Sequence, residues 1–179
     1  MSALRKIVWF SMVSLFSPVG ILGRNVKLTN IACRSLDPQV GVFKKCFLKA
    51  VQRDVTEMNV YYRVDSKPIT NASLKLSISK RGGATQKALY QYKVDACEFM
   101  RNTRRNPLAD IFYTFFELRK YSNLNHTCPF NHDLIINRCR LNVQPLSILP
   151  IAPGDYKILT VWYKDEKPAA NIDVVIKVN

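Results

Sequence analysis

The chain has 179 residues, 27 of them Lys or Arg against 13 Asp or Glu, for a formal net charge of +14. That length builds one ordinary domain with a real core, and no repeat, low-complexity tract or internal linker divides it. The charge suits a solvated basic surface, or contact with acidic glycans or an anionic lipid surface; because the chain reads as secreted, nucleic acid is not an expected partner.

Residues 1–23 read as a signal peptide. Arg5 and Lys6 form the basic start, residues 7–16 an apolar stretch, and Ser17, Gly20 and Gly23 a small-residue end with cleavage expected at about 20–23. An apolar run of about ten residues is too short to cross a bilayer, which needs roughly 20. Loss of Arg5 and Lys6 lowers the charge by two, to +12. The remaining residues, 24–179, are read as a single secreted domain.

Residues 26–34 alternate as a first strand, Asp37-Pro38 turns the chain, and residues 42–51 form a second strand. A hairpin about this turn brings Cys33 near Cys46 and predicts a disulfide between them. Val60, Tyr62 and Val64 alternate with polar neighbours until the break at residues 65–68. Leu74, Leu76 and Ile78 alternate again, and Arg81-Gly82-Gly83 turns the chain into a strand over residues 89–99. Asn106-Pro107 is a helix start, with Asn suited to the N-cap and Pro to the first helical position. Leu108, Ile111, Phe112, Phe115 and Phe116 then fall on one face, with Asp110, Tyr113, Thr114 and Glu117 on the other, giving one helix to about Lys120. Arg119 interrupts the apolar stripe, so its guanidinium must snorkel or the helix must fray there.

Cys128 lies in a turn-rich segment placed to return to Cys97. Residues 134–143 make the next strand, and prolines and the Pro153-Gly154 turn lead to strands at 156–163 and 172–178. Apolar/polar alternation with one wet face is the pattern of antiparallel sheets. Eight strands with one inserted α-helix predict a mainly β fold, a two-sheet antiparallel β-sandwich.

Five cysteines in such a chain imply a disulfide framework with one left over. Cys139 is either a buried small hydrophobe, the preferred reading, or a site of altered or intermolecular pairing. No C-x-x-C spacing occurs and there are two histidines, so neither a metal site nor a cofactor is expected. Asn71-Ala-Ser73 and Asn125-His-Thr127 are glycosylation acceptors. His126 and His132 accompany no Ser or Cys nucleophile constellation, and on a strand Asp95 and Glu98 point to opposite faces. A non-catalytic protein is expected.

Several blocks together carry a resemblance: Asn30-Ile-Ala-Cys33, Lys45-Cys46-Phe-Leu-Lys49, Val94-Asp-Ala-Cys97-Glu-Phe99, Asn106-Pro-Leu108, Ser122-Asn-Leu-Asn-His-Thr-Cys-Pro-Phe130 and Pro153-Gly-Asp-Tyr156. They resemble an insect family of small secreted proteins with a domain of unknown function, similar to the chemosensory CheB proteins, a remote branch of the ML lipid-recognition fold. The resemblance implies four paired cysteines, Cys33, Cys46, Cys97 and Cys128, with Cys139 additional. It also implies two sheets splayed apart to hold an apolar ligand. The tract Gln86-Lys87-Ala88 departs from the more apolar run of such relatives.

On that implication the cavity and lid residues expected are Val60, Tyr62, Leu74, Leu76, Ile78, Tyr92, Val94, Phe112, Phe115, Phe116, Val161 and Val174. Arg101, Arg104 and Arg105, leading into the helix, form a basic rim suited to an acidic headgroup. Of Tyr61, Tyr62, Tyr90 and Tyr92, about half can face inward. The expected function is a monomeric, secreted binder of a lipid or other apolar small molecule. The alternative is an extracellular interaction or adaptor module, chemosensory or reproductive, with a filled core, meeting a receptor or an anionic membrane through its basic surface.

Overall fold

The computed structural model describes residues 26–52, 55–82, 87–141 and 151–179. The expected signal peptide, residues 83–86 and the prolines Pro145 and Pro150 lie outside these residues. Eight strands appear among them: β1 (Val26–Ser35), β2 (Gly41–Gln52), β3 (Val55–Val64), β4 (Ala72–Lys80), β5 (Ala88–Asp95), β6 (Leu134–Cys139), β7 (Gly154–Lys164) and β8 (Lys167–Val178). They form a five-stranded sheet in the order β1-β8-β7-β4-β5 and a three-stranded sheet in the order β2-β3-β6, every pairing antiparallel. The two-sheet sandwich expected from the alternation is present.

The turn at Asp37 does not make a hydrogen-bonded hairpin. β1 pairs with β8 and β2 with β3, so the chain crosses there from one sheet to the other. The Cys33–Cys46 disulfide, with Cα atoms 6.1 Å apart, therefore ties the two sheets together. The two cysteines meet as expected but the strands do not pair, because a short turn looks the same in sequence whether it stays in a sheet or changes sheets. By contrast β7 and β8 are joined by a true two-residue hairpin, with Asp165 and Glu166 at φ 50° and 62°. That conformation matches the twist of the flanking strands.

The strand expected over residues 89–99 stops at Asp95. Its side chain accepts from the Glu98 amide at 2.8 Å and caps α1 (Ala96–Arg101). Cys97 and Glu98 are thus helical, and the opposite-face argument for Asp95 and Glu98 does not apply. A short 3-10 turn (Thr103–Arg105) leads to α2 (Pro107–Phe115), where Asn106 Oδ1 accepts from the Ala109 amide and Pro107 opens the helix as expected. The single helix to Lys120 is instead two: Glu117, at φ 44°, breaks it, and α3 (Leu118–Tyr121) follows. The break resolves the conflict at Arg119, whose guanidinium leaves the apolar stripe and lies 5.7 Å from the Tyr113 ring centroid.

α1 packs against β4 and β5 and α3 against β6, so the helical insertion joins the two sheets along one side. β6 ends at Cys139, short of residue 143. The Cys139 thiol is buried, donates to the Phe116 carbonyl at 2.7 Å, and is pushed up to about 12 by burial. It behaves as an inert core residue.

Asp133 fastens the corner between β3 and β6. It accepts from Tyr61 Oη at 2.7 Å and the Val64 amide at 3.1 Å, and pairs with Lys67 at 2.7 Å. Lys67 first, then the Tyr61 and Val64 hydrogen bonds, lower its carboxyl from 3.8 to about 2. A depressed carboxylate contributes stability above its unfolded value and loses it as pH falls through the folded one. We expect the wild-type thermal midpoint to fall between about pH 4 and pH 2, and Asp133→Asn to flatten part of that decline. Melting curves of the two proteins at pH 6 and pH 3 check this; parallel declines would remove Asp133 from the account.

Candidate apolar cavity

Each strand presents alternate side chains to the space between the sheets. At one end that space is filled. Met58, Ile78, Tyr156, Ile158, Val174, Ile176 and Phe115 are all buried there in one cluster. Towards the other end the inward positions become Ala72 and Leu74 on β4, Thr160 and Trp162 on β7, and Ala170 and Ile172 on β8. Trp162 stands between Leu74 on one side and Ala170 on the other. Alanine at such positions leaves volume that a Leu or Ile would occupy, and rings at Phe43, Tyr62, Phe99 and Tyr113 border that volume.

The result is a partly enclosed cavity of about 180 Å³. For scale, an engineered apolar cavity of roughly 150 Å³ stays dry and takes up benzene. Both sheets contribute to the wall, with Val60, Tyr62, Leu134 and Ile136 from the three-stranded sheet. The helical insertion closes the side through Ala96, Phe99, Met100, Ala109, Phe112, Tyr113, Phe116 and Leu118. Phe99 and Tyr113 meet edge to face at 5.6 Å. Tyr113, expected on the wet side of the helix, is buried, and its hydroxyl donates to the Leu124 carbonyl at 3.2 Å. The chain passing over α2 supplies the cover that helical periodicity alone does not reveal.

Of the residues expected to line a site, Val60, Tyr62, Leu74, Leu76, Tyr92, Val94, Phe112 and Phe116 do line this cavity. Ile78, Phe115 and Val174 do not; they belong to the filled end, and Phe115 is fully buried. Val161 is on the wrong parity, since its neighbours Thr160 and Trp162 face the cavity. Of the four tyrosines, Tyr62 and Tyr92 line it while Tyr61 binds Asp133 and Tyr90 is exposed. Arg101, Arg104 and Arg105 are exposed and none lines the wall; Arg105 pairs with Glu98 at 3.3 Å. Asn71 and Asn125 are both exposed.

Most of the wall was not among the residues expected, and two groups of it are instructive. One is the set of alanines, Ala72, Ala96, Ala109, Ala169 and Ala170; their signal was small size at inward positions. The other is Ile69, Leu124 and Phe130 from connecting segments, fixed by the two Ile69–Phe130 backbone hydrogen bonds at 2.9 Å and by the Cys97–Cys128 disulfide. Nothing local marks those.

Tyr62 carries the one buried hydroxyl of the wall without a partner. Burial first, then the nearby Asp37 and Asp65 charges, raise its phenol to about 12, so it stays neutral. Among the described residues no group of three or more His, Cys, Asp or Glu is placed to hold a metal ion. None of the described helices is long and apolar enough to cross a membrane.

Residues 74–158 match a family model described as protein of unknown function (DUF1091). The matched segment carries β4 from Leu74, β5, the helical insertion, the Cys97–Cys128 bridge, β6 and the start of β7. No curated protein matches the chain.

Proposed function

We propose that this protein is a secreted, non-catalytic binder of an apolar small molecule or lipid, carried between its two sheets behind the helical insertion. The observation that carries the reading is the cavity itself: it is walled by both sheets and the insertion, and its surface is almost wholly apolar. Natural ligand sites are mostly apolar concavities of this kind. Binding would draw on about 25 cal/mol for each Å² of apolar surface removed from water. The two disulfides suit an oxidising compartment, and the exposed Asn71 and Asn125 suit glycosylation. The motif blocks that resemble the chemosensory CheB proteins and the ML fold point the same way.

Val94 offers the direct test. It faces the cavity from β5, an edge strand, where a larger β-favouring side chain is tolerated. Val94→Trp is expected to abolish uptake of apolar ligands while leaving the melting temperature nearly unchanged. Native mass spectrometry of the wild type secreted from insect cells should release a bound lipid on denaturation, and the variant should not. Equal ligand recovery from both would place binding elsewhere.

A second reading has its own observation. On the outer face of the three-stranded sheet, Phe47 and Ile135 are 44% and 40% exposed, beside Lys45 and Lys49. Such a face suits an extracellular protein partner. A clean apo mass after exposure to fatty acids, sterols and phospholipids would favour it over the carrier.

A further inference from the structure

Resting on the carrier reading, we infer that Lys164 and Ser66 form a headgroup site at the edge of the cavity, and that the ligand is an amphiphile ending in a single carboxylate, of the fatty-acid class. Among the described residues the wall holds one charged side chain, and that charge is positive. Lys164 stands opposite Ala72 in the β4–β7 ladder, two residues beyond the inward Trp162, so it shares the cavity face of the sheet. The small Ala72 leaves room for its apolar stem, and the lysine side chain is only 17% exposed. A lysine at the end of an apolar face calls for a reason, because a cation held out of water costs free energy unless an opposite charge answers it.

The protein answers it incompletely. Of the three ammonium protons, one is given to Ser66 Oγ at 2.5 Å. Asp165 is the one described carboxylate within 4.0 Å and lies at that limit, beyond hydrogen-bond reach; it is 60% exposed, so solvent screens it. Ser66 accepts the lysine proton, and among the described residues its own hydroxyl proton has no acceptor. An ammonium with two open donors beside a hydroxyl with one can hold both oxygens of a carboxylate, with the apolar chain running back past Trp162 and Leu74 between the sheets. One positive charge balances one negative charge, whereas a phosphate monoester carries close to two at neutral pH. Arg101, Arg104 and Arg105 supply no second cation, since none lines the wall.

The test is calorimetric titration of the intact protein at pH 7 with octanoate, octanol and acetate, which separate the carboxylate from the chain. Octanoate is expected to bind at least about tenfold more tightly than octanol, the scale of one hydrogen bond to a charged partner, and acetate not measurably. Lys164→Met keeps the stem and removes the charge, so it should bring the ratio of octanoate to octanol affinity to one or below; Lys164→Arg should keep it above one. If Lys164→Met fails to fold, the wild-type ratio and Ser66→Ala decide instead, and Ser66→Ala should lower that ratio. Octanol binding as well as octanoate in the wild type, or a ratio unchanged by Lys164→Met, would overturn the headgroup site while leaving the carrier reading intact. Acetate binding as tightly as octanoate would reduce the site to one for bare anions and overturn the inference too. Failure of both octanoate and octanol to bind would overturn carrier and headgroup site together.

Discussion

Truncating Phe115 to alanine is expected to cost about 3–5 kcal/mol of folding stability, the range for removing a buried phenylalanine ring from a packed core. Phe115 closes α2, has 0% exposure, and meets Phe116 edge to face at 4.8 Å. Its other neighbours belong to the filled end, so the deletion opens a void between well-packed elements instead of widening an existing one. Against a typical stability of about 5–15 kcal/mol, that loss leaves the protein marginal. Phe112, one helical turn earlier, lines the cavity, and Phe112→Ala should disturb ligand uptake more than its own loss of stability would explain. Urea titrations followed by circular dichroism separate the two. A loss of less than about 1 kcal/mol for Phe115→Ala, well under the usual range, would return that ring to the role of a movable cover.

Removing the Cys97–Cys128 disulfide is the second large effect. The bridge closes a loop of 31 residues, against 13 for Cys33–Cys46. Constraint of the unfolded chain by the longer loop is worth about 3–4 kcal/mol, and by the shorter about 3. The longer loop contains all three helices, and its ends hold Ala96 and Phe99 on one side and Leu124 and Phe130 on the other. Cys97→Ala with Cys128→Ala should therefore lower the unfolding midpoint at least as much as the corresponding Cys33 and Cys46 pair. It should also impair retention of an apolar ligand, because the helical side of the wall loses its covalent anchor. Thermal melts of the two double variants, with ligand recovery measured alongside, give both readouts. A smaller loss for the Cys97 pair, with full ligand retention, would show that packing alone holds the insertion in place.

Much of this architecture was legible in the order of residues. Clean alternation at Leu74, Leu76 and Ile78 specifies which face of β4 is buried, because strand side chains switch faces at every residue. Asn106-Pro107 announces a helix start for local reasons of capping and φ. The cysteine pairs follow from turns and resemblance. What sequence could not supply is where the inward faces meet. Ile78 and Leu76 have the same chemistry and parity, yet one lies in the filled end and the other on the cavity wall. Their difference is position along the sandwich, and that depends on what stands opposite.

The same limit explains the helical region. Glu117 is an ordinary helix former, and its left-handed φ of 44° ends α2 as the chain turns from α2 into α3, which packs on β6. Local chemistry therefore determined most of the strands, their buried faces and the start of α2. Tertiary packing alone decided that one end of the sandwich closes around Phe115 and Tyr156 while the other stays hollow around its alanines, since a cavity is set by the distance between surfaces and not by the residues of either surface alone.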